Sequence, residues 1–526
     1  MFRKEGITLG RTIIACLTLI TPLLFITPAV PQQNPPPILV RTRSGLVQGE
    51  ITGLIRSFRG IPYAAPPVAN RRWRPPAPVA GWNNVRDATT FGDMCIQIDA
   101  NGNLRGSEDC LTLNVFTAST GQVIHQPVMV FFHGGGNRRG AAQQPWFDHP
   151  TLVTQGVIVV TVEYRLGALG FFAHPLLTAE GGGSSSNYGF MDQIAALRWV
   201  RDNIRAFGGD AERVTVFGQS AGSYDIQALL VAPAAQGLFS RAIMESGSIP
   251  SGQLYNLAEM EASSAPLVPL LGCDNAQDVL GCLRAVPADM VVQNQRGLAI
   301  GLTMAPPVLP VDPFDVLERD GSPVPLIVGT TREETALGDD PSVPITIDEY
   351  RATIRAEFDP FGPGVANTVL DLYPASAYDT PKYALIAVHS DFYLTAEMRT
   401  FANAVAVGHV QPVWRYLFTH RFENDPDLNA LRAFHIADLF FVFGNLGNIL
   451  GTQYQPTQAE IDLSNRIMTY WAQFARYGNP NGPGPVEWHR YPGEGEAMLE
   501  LDSPPRQIRG YHIRQCSFLA TLQPQP

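Results

Sequence analysis

From about residue 125 onward, the chain alternates short, continuous apolar runs with longer segments of helical periodicity. The apolar runs are rich in valine, isoleucine and phenylalanine, and such runs predict strands that are buried on both faces. The predicted strands are 128–132, 157–162, 214–217, 241–244, 325–328 and 413–418. Because strands of this kind form central sheets covered by helices, the pattern predicts an α/β fold with a mostly parallel twisted sheet flanked by helices.

The clearest helical pattern lies between residues 192 and 207, where apolar side chains recur every three or four positions, at Ile194, Leu197, Val200 and Ile204. This spacing puts the four side chains on one face, and Gly208-Gly209 supplies a stop. Before residue 125 the chain consists of short extended pieces separated by glycine and proline turns. These pieces predict a small antiparallel edge at the N-terminal side of the sheet.

The N-terminus has the composition of a targeting segment. A basic start is followed by an apolar run over 12–26 and by small residues at 27–29. We therefore predict a signal peptide over 1–29 and a secreted or periplasmic protein, with an uncleaved N-terminal membrane anchor as the first alternative and lipidation at Cys16 as the second. Residues 30–37 form a Pro-rich segment predicted to be disordered. Residues 38–526 are predicted to form a single domain, with no membrane span in the mature chain.

Composition narrows the possible partners and cofactors. Hydrophobic residues make up 45% of the chain and charged residues 16%, which is typical of a globular protein with a large core. The formal net charge of −11 and the lack of a long basic stripe argue against binding to nucleic acid. The sequence contains no C-x-x-C and no H-E-x-x-H, so neither a metal nor another cofactor is predicted. The oligomeric state is left open.

The cysteines other than Cys16 include two locally spaced pairs. Export to an oxidising compartment would permit disulfides, and the simplest connectivity joins neighbours in the chain. This connectivity is Cys95–Cys110 and Cys273–Cys282, with Cys516 left unpaired.

The run Val214-Thr-Val-Phe-Gly218-Gln-Ser220-Ala-Gly222 predicts a strand, a sharp turn with a serine at its tip, and a following helix over 221–230. The turn strains the serine backbone and brings strand and helix close together, which explains a glycine on each side. This arrangement presents a serine hydroxyl as a nucleophile. Because G-x-S-x-G alone is short enough to occur by chance, the assignment depends on finding the groups that activate it.

A serine nucleophile needs a histidine that accepts its proton and a carboxylate that orients the histidine, and in this type of fold the order along the chain is serine, acid, histidine. His435 precedes a dense apolar segment, as expected of a loop held over a core. Glu333 and Glu334 follow the predicted strand 325–328, and the pattern does not choose between them. An acyl-transfer site also needs N–H donors for an oxyanion, and His133-Gly-Gly-Gly136 together with the amide of Ala221 could provide them.

With these motifs in place, the sequence resembles the type B carboxylesterase and cholinesterase family of α/β-hydrolases from about residue 40 to 518. The matching landmarks are the segments 107–115, 164–171, 187–193, 199–204, 207–210, 470–474 and 478–481. The resemblance implies an α/β-hydrolase fold and an ester hydrolase without a cofactor. By this resemblance, the nucleophile is Ser220, the acid is Glu334 and the base is His435. The oxyanion donors are Gly135, Gly136 and Ala221. The resemblance also implies a supporting role for Ser246 and the two disulfides given above.

The chain departs from the family pattern at several positions near the predicted site. Gln219 stands where the family usually has glutamate, and Asn137-Arg138-Arg139 follow the glycine triplet where an aromatic or apolar residue usually comes first. The two arginines predict a substrate that carries a carboxylate, with a solvated loop as the alternative. The short segment 96–109 has no tryptophan, so choline esters are not expected. The expected substrates are small to medium esters; a lipase-like enzyme and a non-catalytic binding or adhesion protein are the alternatives.

Overall fold

Thirteen strands form one central sheet in the computed structural model, which describes residues 38–119, 125–483 and 486–522. The predicted signal peptide and the whole Pro-rich segment lie outside these ranges. The strands of the structure are β1 (Ile38–Arg41), β2 (Leu46–Thr52), β3 (Ile55–Pro62), β4 (Arg86–Asp87), β5 (Gln97–Ile98), β6 (Leu104–Arg105), β7 (Thr112–Ala118), β8 (Gln126–Phe132), β9 (Ile158–Val162), β10 (Gly209–Gln219), β11 (Arg241–Glu245), β12 (Tyr255–Asn256), β13 (Thr303–Met304), β14 (Leu326–Thr331), β15 (Val413–Phe418), β16 (Asn448–Ile449), β17 (Thr452–Gln453), β18 (Ala497–Leu501) and β19 (Arg506–Arg509).

The sheet is mostly parallel and has antiparallel edges. Its strand order is β1-β2-β3-β7-β9-β8-β10-β11-β14-β15-β18-β19, and β4 pairs with β2. All pairs from β9 through β18 along this order are parallel, whereas β1, β2, β3, β7 and β9 pair antiparallel and β19 pairs antiparallel with β18. The predicted α/β fold and its antiparallel N-terminal edge are therefore confirmed.

Helices cover the sheet on both sides. They are α1 (Gly167–Phe171), α2 (Pro175–Glu180), α3 (Tyr188–Asn203), α4 (Ala221–Val231), α5 (Leu257–Ser264), α6 (Leu267–Leu270), α7 (Val279–Ala285), α8 (Ala288–Gln293), α9 (Pro313–Asp320), α10 (Ile347–Phe358), α11 (Val365–Leu372), α12 (Pro381–Ser390), α13 (Ala396–Ala406), α14 (Pro426–Leu431), α15 (Ala437–Phe443), α16 (Gln458–Tyr477) and α17 (Ile513–Leu519). Within the described ranges, no helix is both long and apolar enough to cross a membrane.

The helix predicted over 192–207 is displaced toward the N-terminus. It begins at Tyr188, ends at Asn203 and continues as a short 3₁₀ segment over Ile204–Phe207, after which Gly208 adopts the left-handed conformation. The first turn is buried all round, so it carries no alternation of polar and apolar residues. The one-sided apolar periodicity therefore begins only after this turn, and the pattern places the start of the helix too late in the chain.

Alternate residues of the central strands enter two separate cores. Val130 of β8 packs in one cluster with residues of α3 and α4, while Phe131 packs on the opposite face with residues of α15 and α16. This two-sided burial explains why the strands read as continuous apolar runs. The disulfides Cys95–Cys110 and Cys273–Cys282 are both formed, as predicted, and Cys516 is free and buried.

Candidate active site

Ser220 lies in the turn between β10 and α4, and its backbone conformation is strained. It has φ 56° and ψ −123°, which is an unfavourable conformation for a residue with a side chain. The strand and helix approach so closely at this turn that a Cβ on Gly222 would lie 2.1 Å from the carbonyl oxygen of Phe132. A Cβ on Gly218 would lie 2.8 Å from the carbonyl oxygen of Gly222. Only glycine fits at these two positions, so the turn predicted from the sequence is present.

The backbone of Ser220 is held by neighbouring elements. Its N–H donates to the carbonyl of Glu245 on β11 at 2.8 Å, and its carbonyl accepts from the N–H groups of Ser223 and Tyr224 in the first turn of α4 at 2.8 and 3.1 Å. These bonds compensate part of the cost of the strained conformation. The serine is therefore fixed at the C-terminal end of the parallel strands, where sites in open α/β sheets usually lie.

His435 and Glu334 form a short hydrogen bond beside this turn. The distance between His435 Nδ1 and Glu334 Oε2 is 2.5 Å, and Glu334 Oε1 accepts from the N–H of Thr331 at 2.7 Å. The side chain of Glu334 is fully buried, whereas that of His435 is 23% exposed. Because the carboxylate can only accept, Nδ1 carries a proton and the other ring nitrogen, Nε2, is left to accept one.

The neighbouring carboxylate, Glu333, points elsewhere and fastens the loop that carries His435. Its N–H donates to the carbonyl of Ala433 at 3.0 Å, and its Oε2 accepts from the N–H of Ala433 at 3.2 Å. Its Oε1 lies 2.9 Å from Arg332 and 3.6 Å from Arg432. The structure thus separates the two carboxylates that the sequence pattern could not distinguish: Glu334 contacts the histidine, and Glu333 contacts its loop.

Gln219 engages the other nitrogen of the same histidine. Its Nε2 lies 2.8 Å from His435 Nε2, and the side chain is 2% exposed. No hydrogen bond between Ser220 Oγ and His435 Nε2 is present among the described residues. The amide of Gln219 therefore occupies the place next to His435 Nε2 from which a serine hydroxyl would donate its proton. In the sequence, only the unusual residue type at position 219 pointed to this contact.

The glycine triplet forms a tight loop against the serine turn. A Cβ on Gly134 would lie 2.8 Å from Ser220 Cβ, and a Cβ on Gly135, which has φ 118°, would lie 2.1 Å from the carbonyl oxygen of Arg139. The N–H groups of Arg138 and Arg139 both donate to the carbonyl of Gly135 at 3.1 Å. The triplet and the N-terminus of α4 are therefore adjacent, as an oxyanion site requires.

A buried carboxylate ties this loop to α4. Asn137 adopts a left-handed conformation with φ 55°, and its Nδ2 donates to Asp225 Oδ1 at 3.0 Å. Gln193 Nε2 donates to Asp225 Oδ2 at 2.6 Å. Burial raises the pKa of Asp225 to about 7, while the two donated hydrogen bonds oppose the rise. We refer to Asn137, Gln193 and Asp225 as the amide clamp; sequence analysis did not identify it.

Two further buried groups lie behind the glycine loop. Burial lowers the pKa of His133 to about 4, although its Nδ1 is hydrogen-bonded to the carbonyl of Gly134 at 3.0 Å. Burial raises the pKa of Glu163 to about 8, although its Oε1 accepts from the N–H of Ala142 at 2.8 Å. The His133 ring stacks on Tyr164 with ring centroids 4.5 Å apart. Both groups are therefore mainly uncharged at neutral pH and act as a fixed support for the loop.

Two cavities meet at Ser220, Gly136 and His435. The smaller has a volume of about 610 Å³ and is lined on its far side by Tyr224, Met260 and Glu397 among others. The larger has a volume of about 1040 Å³. Its wall includes segments 97–100 and 138–147, so the disulfide-bounded loop that starts at Cys95 contributes to it. An extended molecule could therefore lie across the serine with one end in each cavity.

Arg138 and Arg139 both line the larger cavity but differ in their surroundings. Arg138 Nη2 donates to the carbonyl of Leu298, and burial lowers the pKa of its guanidinium. Arg139 is exposed at the rim, and Arg296 lines the same cavity.

Ser246 is buried, and its hydroxyl is hydrogen-bonded to no described residue, so its supporting role stays a prediction. In the part of the chain that the structure describes, no group of His, Cys, Asp or Glu side chains is arranged to hold a metal ion.

Comparison with known proteins identifies the family. Residues 36–519 match the model of the carboxylesterase family. The chain is 37% identical to the para-nitrobenzyl esterase of Bacillus subtilis (strain 168) over 88% of its own length and 95% of that protein. It is 32% identical to the fumonisin B1 esterase of Sphingopyxis macrogoltabida, with coverage of 90% and 88%. A solved structure of a PNB esterase superposes with a TM-score of 0.78 at 34% identity, covering 91% of this chain and 99% of that one. The protein therefore belongs to the carboxylesterase family, has the α/β-hydrolase fold and is a serine carboxylesterase.

Proposed function

We propose that Ser220, Glu334 and His435 form a Ser-Glu-His triad that hydrolyses carboxylic esters through an acyl-enzyme intermediate. The observation that carries this proposal is the 2.5 Å hydrogen bond between His435 Nδ1 and Glu334 Oε2 beside the strained serine turn. A buried carboxylate in this position holds the proton on Nδ1 and stabilises the imidazolium ion that forms during attack. The neighbouring carboxylate, Glu333, contacts Ala433 and does not make this contact.

In the proposed reaction, Ser220 Oγ attacks the ester carbonyl carbon while His435 Nε2 accepts the hydroxyl proton. The N–H groups of Gly135, Gly136 and Ala221 donate to the negatively charged oxygen of the tetrahedral intermediate. The imidazolium then protonates the departing alcohol, and the C–O bond of the ester breaks. A water molecule, deprotonated by His435, attacks the acyl-enzyme and releases the carboxylic acid and the serine.

This sequence requires one local movement. Gln219 Nε2 lies 2.8 Å from His435 Nε2, so the amide must turn away before the nitrogen can accept the serine proton. A rotated Gln219 would present its Oε1 instead, and this oxygen could accept a hydrogen bond from the imidazolium Nε2–H. The amide is uncharged, so it can change partners without the desolvation cost that a carboxylate would carry in the same buried position.

The assignment of the nucleophile is tested by labelling with an organophosphonate and by hydrolysis of p-nitrophenyl butyrate. Ser220→Ala should abolish both, while Ser248→Ala, a matched change in the wall of the same cavity, should retain both. Undiminished hydrolysis by Ser220→Ala would refute the proposal. Failure of the folded wild-type protein to be labelled would instead favour a non-catalytic role for this site.

We further propose that the preferred esters carry a carboxylate on the part that lies in the larger cavity. Support comes from three guanidinium groups in that wall, Arg138, Arg139 and Arg296, in a protein with a formal net charge of −11. Guanidinium groups bind carboxylates by paired, charge-assisted hydrogen bonds. The test compares neutral and carboxylated esters of equal size in wild type, in Arg139→Gln and in the double variant Arg138→Ala, Arg139→Ala. An anionic preference that is unchanged in the double variant would refute this substrate class.

Export remains part of the proposal, because the two disulfides are of a kind that an oxidising compartment permits. Cell fractionation of the full chain, with N-terminal sequencing of the recovered protein, tests it. A cytoplasmic protein that keeps its first residues would contradict export.

A further inference from the structure

The smaller cavity contains a carboxyl group that forms no ion pair within the described part of the chain. Glu397 lines this cavity together with Ser220 and Tyr224. Its carboxyl group forms no hydrogen bond or ion pair with any described residue. Burial raises its pKa to about 8, and no other group contributes to this shift. Glu397 is only partly exposed, and a polar group withdrawn from water without a partner is costly, so its position in the wall of a substrate cavity calls for an explanation.

A role in capping a helix does not explain Glu397. An acidic residue in the first turn of a helix is stabilising because N–H groups there lack partners. Glu397 is in the first turn of α13, but a π-helical segment over Asp391–Thr395 joins α13 to α12, and the junction residues Ser390 and Thr395 have helical backbone angles. The backbone is therefore one continuous helical path from Pro381 to Ala406. No free helix end lies at Glu397.

The cavity has the composition of a site for a cation. The phenol rings of Tyr224, Tyr255 and Tyr393 line it, and none of the described lining residues is arginine or lysine. The larger cavity on the other side of Ser220 has the opposite character, with three arginines in its wall. The two halves of an extended ester would therefore meet different walls, one with three arginines and the other with a carboxyl group and phenol rings.

We propose that Glu397 binds an ammonium group carried by the part of the ester that occupies the smaller cavity. This inference rests on the proposed function, because it assumes that Ser220 is the reacting residue. A carboxylate accepts charge-assisted hydrogen bonds from a primary ammonium ion, and the faces of tyrosine rings attract cations. A quaternary ammonium has no N–H to donate, so the primary ion is the preferred form.

The test uses simple ligands that are not esters, so it does not require knowing whether the acyl or the alcohol part of the substrate occupies the smaller cavity. Binding of 3-phenylpropylammonium, 3-phenylpropanol and trimethyl(3-phenylpropyl)ammonium to the full-length protein is measured by calorimetry at about pH 9, where Glu397 is ionised and the primary amine still carries its proton. The wild type should bind the primary ammonium about tenfold to a hundredfold more tightly than the alcohol, since hydrogen bonds to charged groups are of that strength. Glu397→Gln should lose this preference. Glu318→Gln, which removes an exposed carboxylate elsewhere, should keep it.

Hydrolysis of neutral p-nitrophenyl butyrate separates this inference from the proposed function. Glu318→Gln should hydrolyse the neutral ester at a rate within about threefold of wild type, because its carboxylate is exposed and lines neither cavity. Equal binding of the ammonium and the alcohol by wild type would overturn the inference, as would a preference that survives in Glu397→Gln or equally tight binding of the trimethylammonium ligand. A wild-type protein that fails to hydrolyse the neutral ester would overturn the triad instead, and calorimetry would still decide the ammonium site.

Discussion

Replacing Glu334 by glutamine tests the carboxylate–histidine contact directly. The amide is almost the same size as the carboxylate, so it fits the fully buried site, and its oxygen can still accept the N–H of Thr331. Its NH₂ group would then face His435 Nδ1 at a place where the carboxylate now accepts a proton at 2.5 Å. A donor there forces the proton from Nδ1 to Nε2. The histidine would then hold a proton on the nitrogen that, in the proposed triad, accepts one from Ser220.

The expected effect is a fall in kcat of about 10⁴-fold, the size seen when a triad acid is replaced by its amide, which corresponds to roughly 5 kcal/mol of transition-state stabilisation. The contact of Gln219 with Nε2 adds to the loss, because its amide oxygen can rotate to hold the misplaced proton. Turnover of p-nitrophenyl butyrate measures kcat, and circular dichroism establishes that the variant is folded.

Glu333→Gln is the matched control, since it removes the adjacent carboxylate that fastens the histidine loop through Ala433. One oxygen remains to accept that N–H, so kcat should stay within about tenfold of wild type. The reasoning would be refuted if Glu334→Gln kept more than about a tenth of the wild-type kcat, or if the two substitutions were equally damaging.

Three further outcomes are expected. Gly222→Ala should lower the free energy of unfolding by more than about 3 kcal/mol, because its Cβ would lie 2.1 Å from a backbone oxygen, while Gly338→Ala, with no neighbouring atom nearer than 3.6 Å, should be nearly neutral. Glu163→Gln should flatten the pH dependence of the free energy of unfolding. Folded Glu163, with its pKa of about 8, keeps a proton that the unfolded chain loses above about pH 4.5. The wild type therefore loses a few kcal/mol of stability between about pH 5 and 8, and the variant does not. Glu212→Gln, at an exposed position, should retain the wild-type slope. Asn137→Ala should lower the free energy of unfolding by about 1–3 kcal/mol and also reduce kcat, because it removes a donor from a buried carboxylate beside the glycine loop.

Urea unfolding at several pH values measures all three changes in stability. Equal losses in the two glycine variants would contradict the steric argument. An unchanged pH slope in Glu163→Gln would mean that another group titrates in its place. Asn137→Ala with wild-type stability and kcat would show that the amide clamp does not hold the loop.

Much of this arrangement could be predicted from the sequence, because it depends on local constraints. The strand at 413–418 and the helix after Ser220 follow from apolar periodicity and from glycines at a tight turn, and both are present. The two disulfides join close neighbours in the chain, so spacing alone suggested them. The strands flanking the site were recognisable because burial on both faces makes them uniformly apolar.

The remaining features depend on contacts between distant segments. Glu333 and Glu334 are adjacent and chemically identical, and only the position of the loop around Ala433 assigns them different contacts. Gln219 meets a histidine 216 positions away. Glu397 has an ordinary sequence context, and its unusual character comes from the cavity that surrounds it. No periodicity or motif encodes such relations, because they arise only when the sheet brings the loops together.

The amide clamp divides the segment after the glycine triplet into a fastened anchor at Asn137 and a tip at Arg138 and Arg139. Asn137 is fastened to Asp225 on the helix that begins next to Ser220, so the glycine loop is tied to the serine turn. The two residues that follow, Arg138 and Arg139, extend from this anchor into the larger cavity. Under the proposed function, side chains at those two positions can therefore be exchanged to alter substrate preference while the backbone of the glycine loop stays in place. Modularity of this kind makes the loop a practical starting point for a library of altered esterases.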